Sequence, residues 1–342
     1  MPVRLTQGWY EADTPCIRAH YQPAMLLDLA TSRGVDTQHA LKGTHLTMDA
    51  LHTPTHLVAP HQLITLMRNC RDVMGVPDIG FLMGQNLLPG SFGPASRVIQ
   101  HAGSLRELIT GLQEFNCSLA PLGIPRIYES ESHAVIYWLD SFGRGELGRF
   151  LVELQMYSLV SAASWLSRLQ LPWTFRFSYP EPSYVEQYWV HFGDELAFDQ
   201  QMNAAMLPRR FLDTPWDAAS PTVYAGALRD ARSQQQKDGF TCSFYDGLYD
   251  YLCSLLQHPL SLDRLSAKLL VSPASLKRKL RKNDTNYQSL FDLARKNTAI
   301  RLYEAEGYSS QRIAEFLRFS DMNNFRRSVK RWTGSSPHTL FA

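Results

Sequence analysis

The chain has 342 residues, 44% of them apolar and 19% charged, which describes a globular protein with room for two cores and excludes a disordered or fibrous one. No run approaches the roughly eighteen apolar residues of a membrane span, and the opening MPVRLTQGWYEAD lacks the basic-then-apolar pattern of a signal peptide, so the cytosol is the expected location. The net charge of +2 hides an asymmetry: residues 236–342 hold 17 Lys and Arg against 10 Asp and Glu, a net of +7, on a body of net −5. A basic C-terminal third on an acidic body is the electrostatic footprint of a module that meets polyphosphate.

In chain order, residues 22–31, 55–74 and 104–115 carry apolar side chains at three- and four-residue spacing and predict amphipathic helices. Between and after them, residues 125–130, 133–139 and 173–179 are rich in aromatic and β-branched types and predict strands. The segment 146–170, ELGRFLVELQMYSLVSAASWLSRLQ, is apolar around most of its circumference and predicts a helix buried on several sides, in a core or at a subunit interface. The first 235 residues are therefore expected to form a mixed α+β domain. At 231–239, ARSQQQKDG, the apolar pattern gives way to glutamines, charge and a glycine, and the domain junction is expected there. Beyond it the pattern is helical throughout.

Ser261 and Ser272 have the chemistry of helix N-caps, and Pro273 suits a first helical position. They bound two short helices in SLDRLSAKLLVSPASLKRKLRKN, with Leu262, Leu265, Leu269, Leu276 and Leu280 inward and Lys277, Arg278, Lys279, Arg281 and Lys282 around the second helix. A tight turn with a basic second helix is what a helix-turn-helix needs to enter a major groove. After a connecting helix at about 287–305 the pattern recurs. Ser309 and Ser310 open a short helix, Phe319 and Ser320 make the turn, and DMNNFRRSVKRW presents Phe325, Val329 and Trp332 on one face and Asn323, Asn324, Arg326, Arg327 and Lys330 on the other. Two helix-turn-helix motifs are thus predicted, at about 261–282 and 309–332. Arginine and asparagine can make bidentate contacts to guanine and adenine edges, whereas lysine meets phosphate as a point charge.

On these residues, and on the stretch RIAEFLRFSDMNNFRRSVKRWTGSSPHTLF, residues 261–341 resemble the DNA-binding domain of the arabinose-regulator (AraC/XylS) family. By position, the resemblance implies that Ala274, Lys277 and Arg278 in the first motif and Met322, Asn323, Arg326 and Arg327 in the second read bases. That family usually has glycine in each inter-helix turn, where this chain has Leu270 and Arg318, and a left-handed residue there costs of order 1 kcal/mol. Val329 stands where phenylalanine is common in the family. The runs at 78–112 and 175–215 resemble the regulatory domain of ornithine-utilisation-type members, which implies a regulatory, dimerising domain unlike the arabinose-type cupin and names no ligand.

Other chemistry is thinly represented. The five cysteines are odd in number and never spaced C-x-x-C, so reduced, mostly buried thiols are expected. His52 and His56 bracket Pro54 and lack an acidic or cysteine partner, so no metal site is expected. Tyr137, Trp138, Trp173, Phe175 and Phe177 either pack a core or line an apolar pocket, core packing being favoured. No G-x-S-x-G, H-E-x-x-H, Walker A or G-x-G-x-x-G pattern is present, and neither catalysis nor a cofactor is expected. The expected protein is a transcription regulator, an activator, in which residues 236–342 bind double-stranded promoter DNA and residues 1–235 sense a small-molecule effector. RNA polymerase and a second copy of the chain are its expected partners. The alternative is control by a protein partner or by dimerisation, and an architectural binder without sequence preference is disfavoured by the asparagine-bearing second motif.

Overall fold

The computed structural model describes residues 8–143, 145–217 and 219–340. The N-terminal part is α+β and the C-terminal part is helical, as the sequence patterns require. Its five-stranded sheet has the spatial order Arg126–Glu129, His133–Tyr137, Ala204–Pro208, Thr174–Arg176, Leu196–Ala197. Neighbours run antiparallel except the last pair, Phe175 beside Leu196 and Arg176 beside Ala197, which is parallel. Along His133–Tyr137, Ala134 and Ile136 face the main core, while Val135 faces a second small cluster with Tyr128, Met202, Ala204 and Ile300. Both faces are covered, which is why HAVIYWL reads as a continuous apolar run and does not alternate.

The segment that is apolar all round forms the helix Gly148–Ser167 and is the central helix of the N-terminal core, with Leu151, Met156, Leu159, Ala162 and Ala163 almost fully buried. Its tightest neighbour is the helix Ile79–Leu87, which approaches through glycine. A Cβ on Gly84 would lie 2.7 Å from the Leu154 carbonyl oxygen, so no larger residue fits. Phe175 and Phe177 join Tyr188, Phe192 and Phe198 in a packed aromatic cluster, so core packing is their role.

Element ends differ from the sequence expectation where local chemistry intervenes. The helix expected from 55 starts at Pro60, because residues 57–58 form a short strand paired with Ile17–Arg18. The stretch 231–239 is no irregular loop: the helix Pro221–Asp238 runs through it, anchored by buried Ala227 and Ala231, and stops at Gly239 in the left-handed conformation. Gln234 and Gln235 are used there as side-chain donors, to Asp238 and to the Glu114 carbonyl oxygen.

The C-terminal part is built from the helices Phe244–Ser254, Leu262–Lys268, Pro273–Arg281, Tyr287–Glu306, Ser310–Phe316 and Met322–Thr333. Leu248, Leu265, Leu276, Leu280, Leu290, Ile313, Leu317 and Phe325 form its core. The two parts meet at several points. Trp9–Tyr10 pairs in parallel with Cys242–Ser243, and Ile300 of the long helix Tyr287–Glu306 packs on the outer sheet face. Glu304 on that helix accepts hydrogen bonds from Tyr128 (2.6 Å) and Arg176 (2.6 Å). Among the described residues, no helix is long and apolar enough to cross a membrane.

Candidate nucleic-acid interface

Two units of the C-terminal part share one local design. Each of the four short helices opens on a polar cap whose side-chain oxygen accepts from the backbone N–H three residues on: Ser261 from Arg264, Ser272 from Ser275, Ser309 from Arg312 and Asp321 from Asn324. Each first helix ends in the same double hydrogen-bond turn. Leu270 N–H donates to the Ala267 carbonyl and Val271 N–H to Ser266; Arg318 N–H donates to Glu315 and Phe319 N–H to Ala314. This closure places Leu270 at φ 57° and Arg318 at φ 59°, the left-handed conformation expected where glycine is absent.

The second helix of each unit buries one stripe and exposes the other. In Pro273–Arg281, Leu276 and Leu280 are buried while Ala274, Lys277 and Arg278 are exposed. In Met322–Thr333, Phe325 and Val329 are buried, Asn323, Arg326 and Arg327 are exposed, and Met322 is half-buried. Phe319 of the turn packs edge-on against Phe325 and also touches Trp332, so three aromatic rings seat the helix although Val329 is small. Met322, Arg326, Arg327 and Lys330 line a groove of about 530 Å³ with Ser310 and Pro337. The structure thus brings the residues singled out in each motif onto one exposed face. Phe341, at the end of the matching stretch, lies outside the described residues.

Neighbouring contacts orient this surface. The Arg327 guanidinium donates to Asn324 Oδ1 at 2.6 Å, and Asn324 in turn donates to Asp321 and Ser320. Arg331 pairs with Asp292 at 2.8 Å, tying the helix Met322–Thr333 to the long helix Tyr287–Glu306. Arg295 lies over the rings of Phe291 and Phe319, and burial pushes its guanidinium below the ordinary value.

The helix Pro273–Arg281 has a different neighbour, which sequence reasoning missed. Lys279 and Lys282 are held by Glu11 and Asp13 of the N-terminal part, Lys282 Nζ lying 2.8 Å from Asp13 and 3.2 Å from Glu11, and Lys279 pairing with Glu11. The bond to Lys282 holds the Asp13 carboxyl below its usual range. Among the described residues no ion pair engages Lys277 or Arg278. No local signal links residue 11 to residue 279; only the pairing of Trp9–Tyr10 with Cys242–Ser243 brings them together. The charge split by region, taken in the sequence as a footprint for polyphosphate, is the one sequence feature compatible with such a contact.

Comparison with known proteins agrees with this geometry. Residues 34–216 match the family described as the arabinose-binding domain of AraC transcription regulator, N-term, and residues 265–342 match a helix-turn-helix domain family. The ornithine utilization regulator of Pseudomonas aeruginosa is 25% identical over 318 residues, covering 91% of this chain and 92% of its own. An uncharacterized HTH-type transcriptional regulator of Mycobacterium tuberculosis is 22% identical over 93% of this chain and 94% of its own. The HTH-type transcriptional regulator GadX of Escherichia coli is 30% identical over 24% of this chain and 30% of its own. The crystal structure of the transcriptional regulator CdpR from Pseudomonas aeruginosa covers 94% of this chain and 98% of its own, at 18% identity and a TM-score of 0.37. The chain belongs to the AraC family of transcription regulators, with an N-terminal arabinose-binding-like regulatory domain and a C-terminal helix-turn-helix region that binds DNA, and it is not an enzyme.

Proposed function

We propose that this regulator is an effector-controlled activator that reads promoter DNA with both helix-turn-helix motifs, residues 236–342 forming the DNA-binding domain and residues 1–235 the sensor. Ala274, Lys277 and Arg278 read one major-groove segment and Met322, Asn323, Arg326 and Arg327 the next. The observation that carries this reading is the repeated unit itself: the same caps, the same left-handed turn and an exposed basic stripe occur twice, joined by one continuous helix, Tyr287–Glu306. Two such heads on one DNA face contact segments about 34 Å apart. The protein acts in the cytoplasm, as a homodimer that engages RNA polymerase.

Selection of random duplex DNA by the full chain tests this. Two conserved blocks about one helical turn apart are expected. Arg278→Ala should relax preference in one block and Arg327→Ala in the other, each weakening binding by about 1–3 kcal/mol. Unaltered preference in both variants refutes the assignment of the reading faces.

A second reading, control by a partner protein or by dimerisation, is favoured by one feature. Trp165 on the helix Gly148–Ser167 is 62% exposed, and Trp189 and Val190 on the helix Val185–Phe192 are 51% and 75% exposed. Melting of the chain against a metabolite panel separates the readings. A melting temperature that rises with concentration supports a small effector, and a flat panel with a complex recovered in pull-down supports a partner.

A further inference from the structure

The two helix-turn-helix units correspond position by position, and they part company beside the arginines singled out for base reading. Counted from the cap of each second helix, Ser272 corresponds to Asp321, Ser275 to Asn324, Lys277 to Arg326 and Arg278 to Arg327. In the first unit the Ser275 hydroxyl turns back to the cap and accepts from the Ser272 hydroxyl at 3.0 Å. Among the described residues no side-chain hydrogen bond or ion pair holds Arg278.

In the second unit a chain of hydrogen bonds runs from the cap to the arginine. The Asn324 backbone N–H donates to Asp321 Oδ1 at 2.8 Å, and Asn324 Nδ2 donates to Asp321 Oδ2 at 2.6 Å and to Ser320 Oγ at 2.9 Å. Asn324 Oδ1 accepts from Arg327 Nη2 at 2.6 Å. The Asn324 N–H, the largest of several causes, holds the Asp321 carboxyl below its usual range, so the acceptor end of the chain stays ionised. The amide fits only this way round: turned over, its NH2 would meet the guanidinium and its oxygen the carboxylate. Both ends of the half-buried Asn324 side chain are thus used within the helix, and it is not free to read adenine. Asn323, beside it, is exposed and has no side-chain partner among the described residues.

The consequence falls on Arg327. An arginine reaches a base on a long flexible stem, and immobilising that stem on binding costs affinity. Asn324 takes one N–H of the guanidinium and sets its plane before DNA arrives, leaving the rest of the donor fork to face the groove. A base that demands a different plane must break the bond to Asn324, so the restraint penalises the wrong base as well as favouring the right one. We infer that Asn324 is a positioning residue that sharpens the base preference of Arg327, while Arg278 reads without such a restraint. This role presupposes that Arg327 reads a base, and it adds what aims that side chain.

Affinities of the full chain for its selected duplex, and for that duplex changed one base pair at a time, provide the test, with the melting temperature as the check on folding. Arg327→Ala first identifies the position at which preference is lost. Asn324→Ala should reduce preference at that same position roughly two- to tenfold. It should leave the other positions and the affinity for random duplex unchanged, and have no further effect in the Arg327→Ala background. Ser275→Ala, the matching change in the first unit, should leave the preference at the base facing Arg278 as it was. Preference at the Arg327 position that survives Asn324→Ala overturns the positioning role and leaves base reading by Arg327 standing. An equal loss on every duplex, the mark of a weakened helix, overturns it too. So does a loss that persists in the Arg327→Ala background, which would mean that Asn324 reads a base itself. If Arg327→Ala alters no preference, the reading by Arg327 and the role of Asn324 fall together.

Discussion

The N-terminal and C-terminal parts use charge in opposite ways. In the DNA-binding part Lys277, Arg278, Arg326 and Arg327 sit on exposed faces of short helices, where solvation costs nothing and the charge is available to a phosphate or a base. In the N-terminal part the informative charges are buried. Glu153 is 1% exposed and accepts hydrogen bonds from the Tyr188 (2.6 Å) and Tyr184 (2.8 Å) hydroxyls, while Arg126 reaches out of the sheet to a sealed aspartate of the other part. Exposed charge serves recognition, and buried charge works as a joint whose partners must all be present.

The sharpest way to break this contrast is to remove a joint. Arg126→Ala leaves Asp246 buried without its guanidinium and should destabilise the chain by about 3–5 kcal/mol, read by urea unfolding. An effect under about 0.5 kcal/mol, the level of an exposed substitution, would show that this pair behaves as a surface contact.

Glu153 supplies the next largest effect. Burial pushes its carboxyl up to about 7 from an ordinary value of 4.5, the two tyrosine hydroxyls only partly offsetting this. The folded chain therefore keeps a proton that the unfolded chain has released, and stability falls as pH rises from about 4.5 through about 7. Above that window the cost levels off at roughly 3 kcal/mol. Glu153→Gln should match the native chain at acid pH and exceed its stability by about that amount at alkaline pH. A difference independent of pH would dismiss the buried ionisation.

Where the two uses of charge meet, Glu11 and Asp13 occupy Lys279 and Lys282, on and at the end of the helix Pro273–Arg281. Replacing both acids by alanine should free Lys279 and Lys282 for phosphate. Affinity for DNA should rise, and its dependence on salt should steepen by about one to two ions released. Unchanged salt dependence would mean that these lysines stay away from DNA. The smallest effects belong to the turns: Leu270→Gly and Arg318→Gly remove left-handed strain and should each stabilise the chain by about 1 kcal/mol, whereas destabilisation by either would mean that the side chain's contacts outweigh its backbone cost.

Legibility in the sequence follows the same division. The double helix-turn-helix was readable residue by residue because its signals are local: a cap and the N–H it accepts are three residues apart, and a buried stripe repeats every three or four. Even the strain at Leu270 and Arg318 was foreseeable, since it arises from a turn of a few residues. The N-terminal part was legible only in pieces. The helix Gly148–Ser167 announced itself by its all-round apolarity, and the strand around Phe175 and Phe177 by its aromatic residues. Nothing near Glu153 in the chain predicts Tyr184 and Tyr188 as its partners, whereas Pro60, at the first position of its helix, was a local start signal for a helix expected from 55.

By itself, then, the sequence determined the helical repeat, its caps and turns, the faces that carry Arg278 and Arg327, and the family these imply, because each depends on neighbours within a turn or two of chain. Only the tertiary structure decided that Glu11 meets Lys279, that Arg126 is divided between Asp246 and Asp250, and that Ile300 covers the outer sheet face. Those contacts join residues about a hundred positions apart or more, and their geometry is set by the packing of whole elements, which no local pattern encodes.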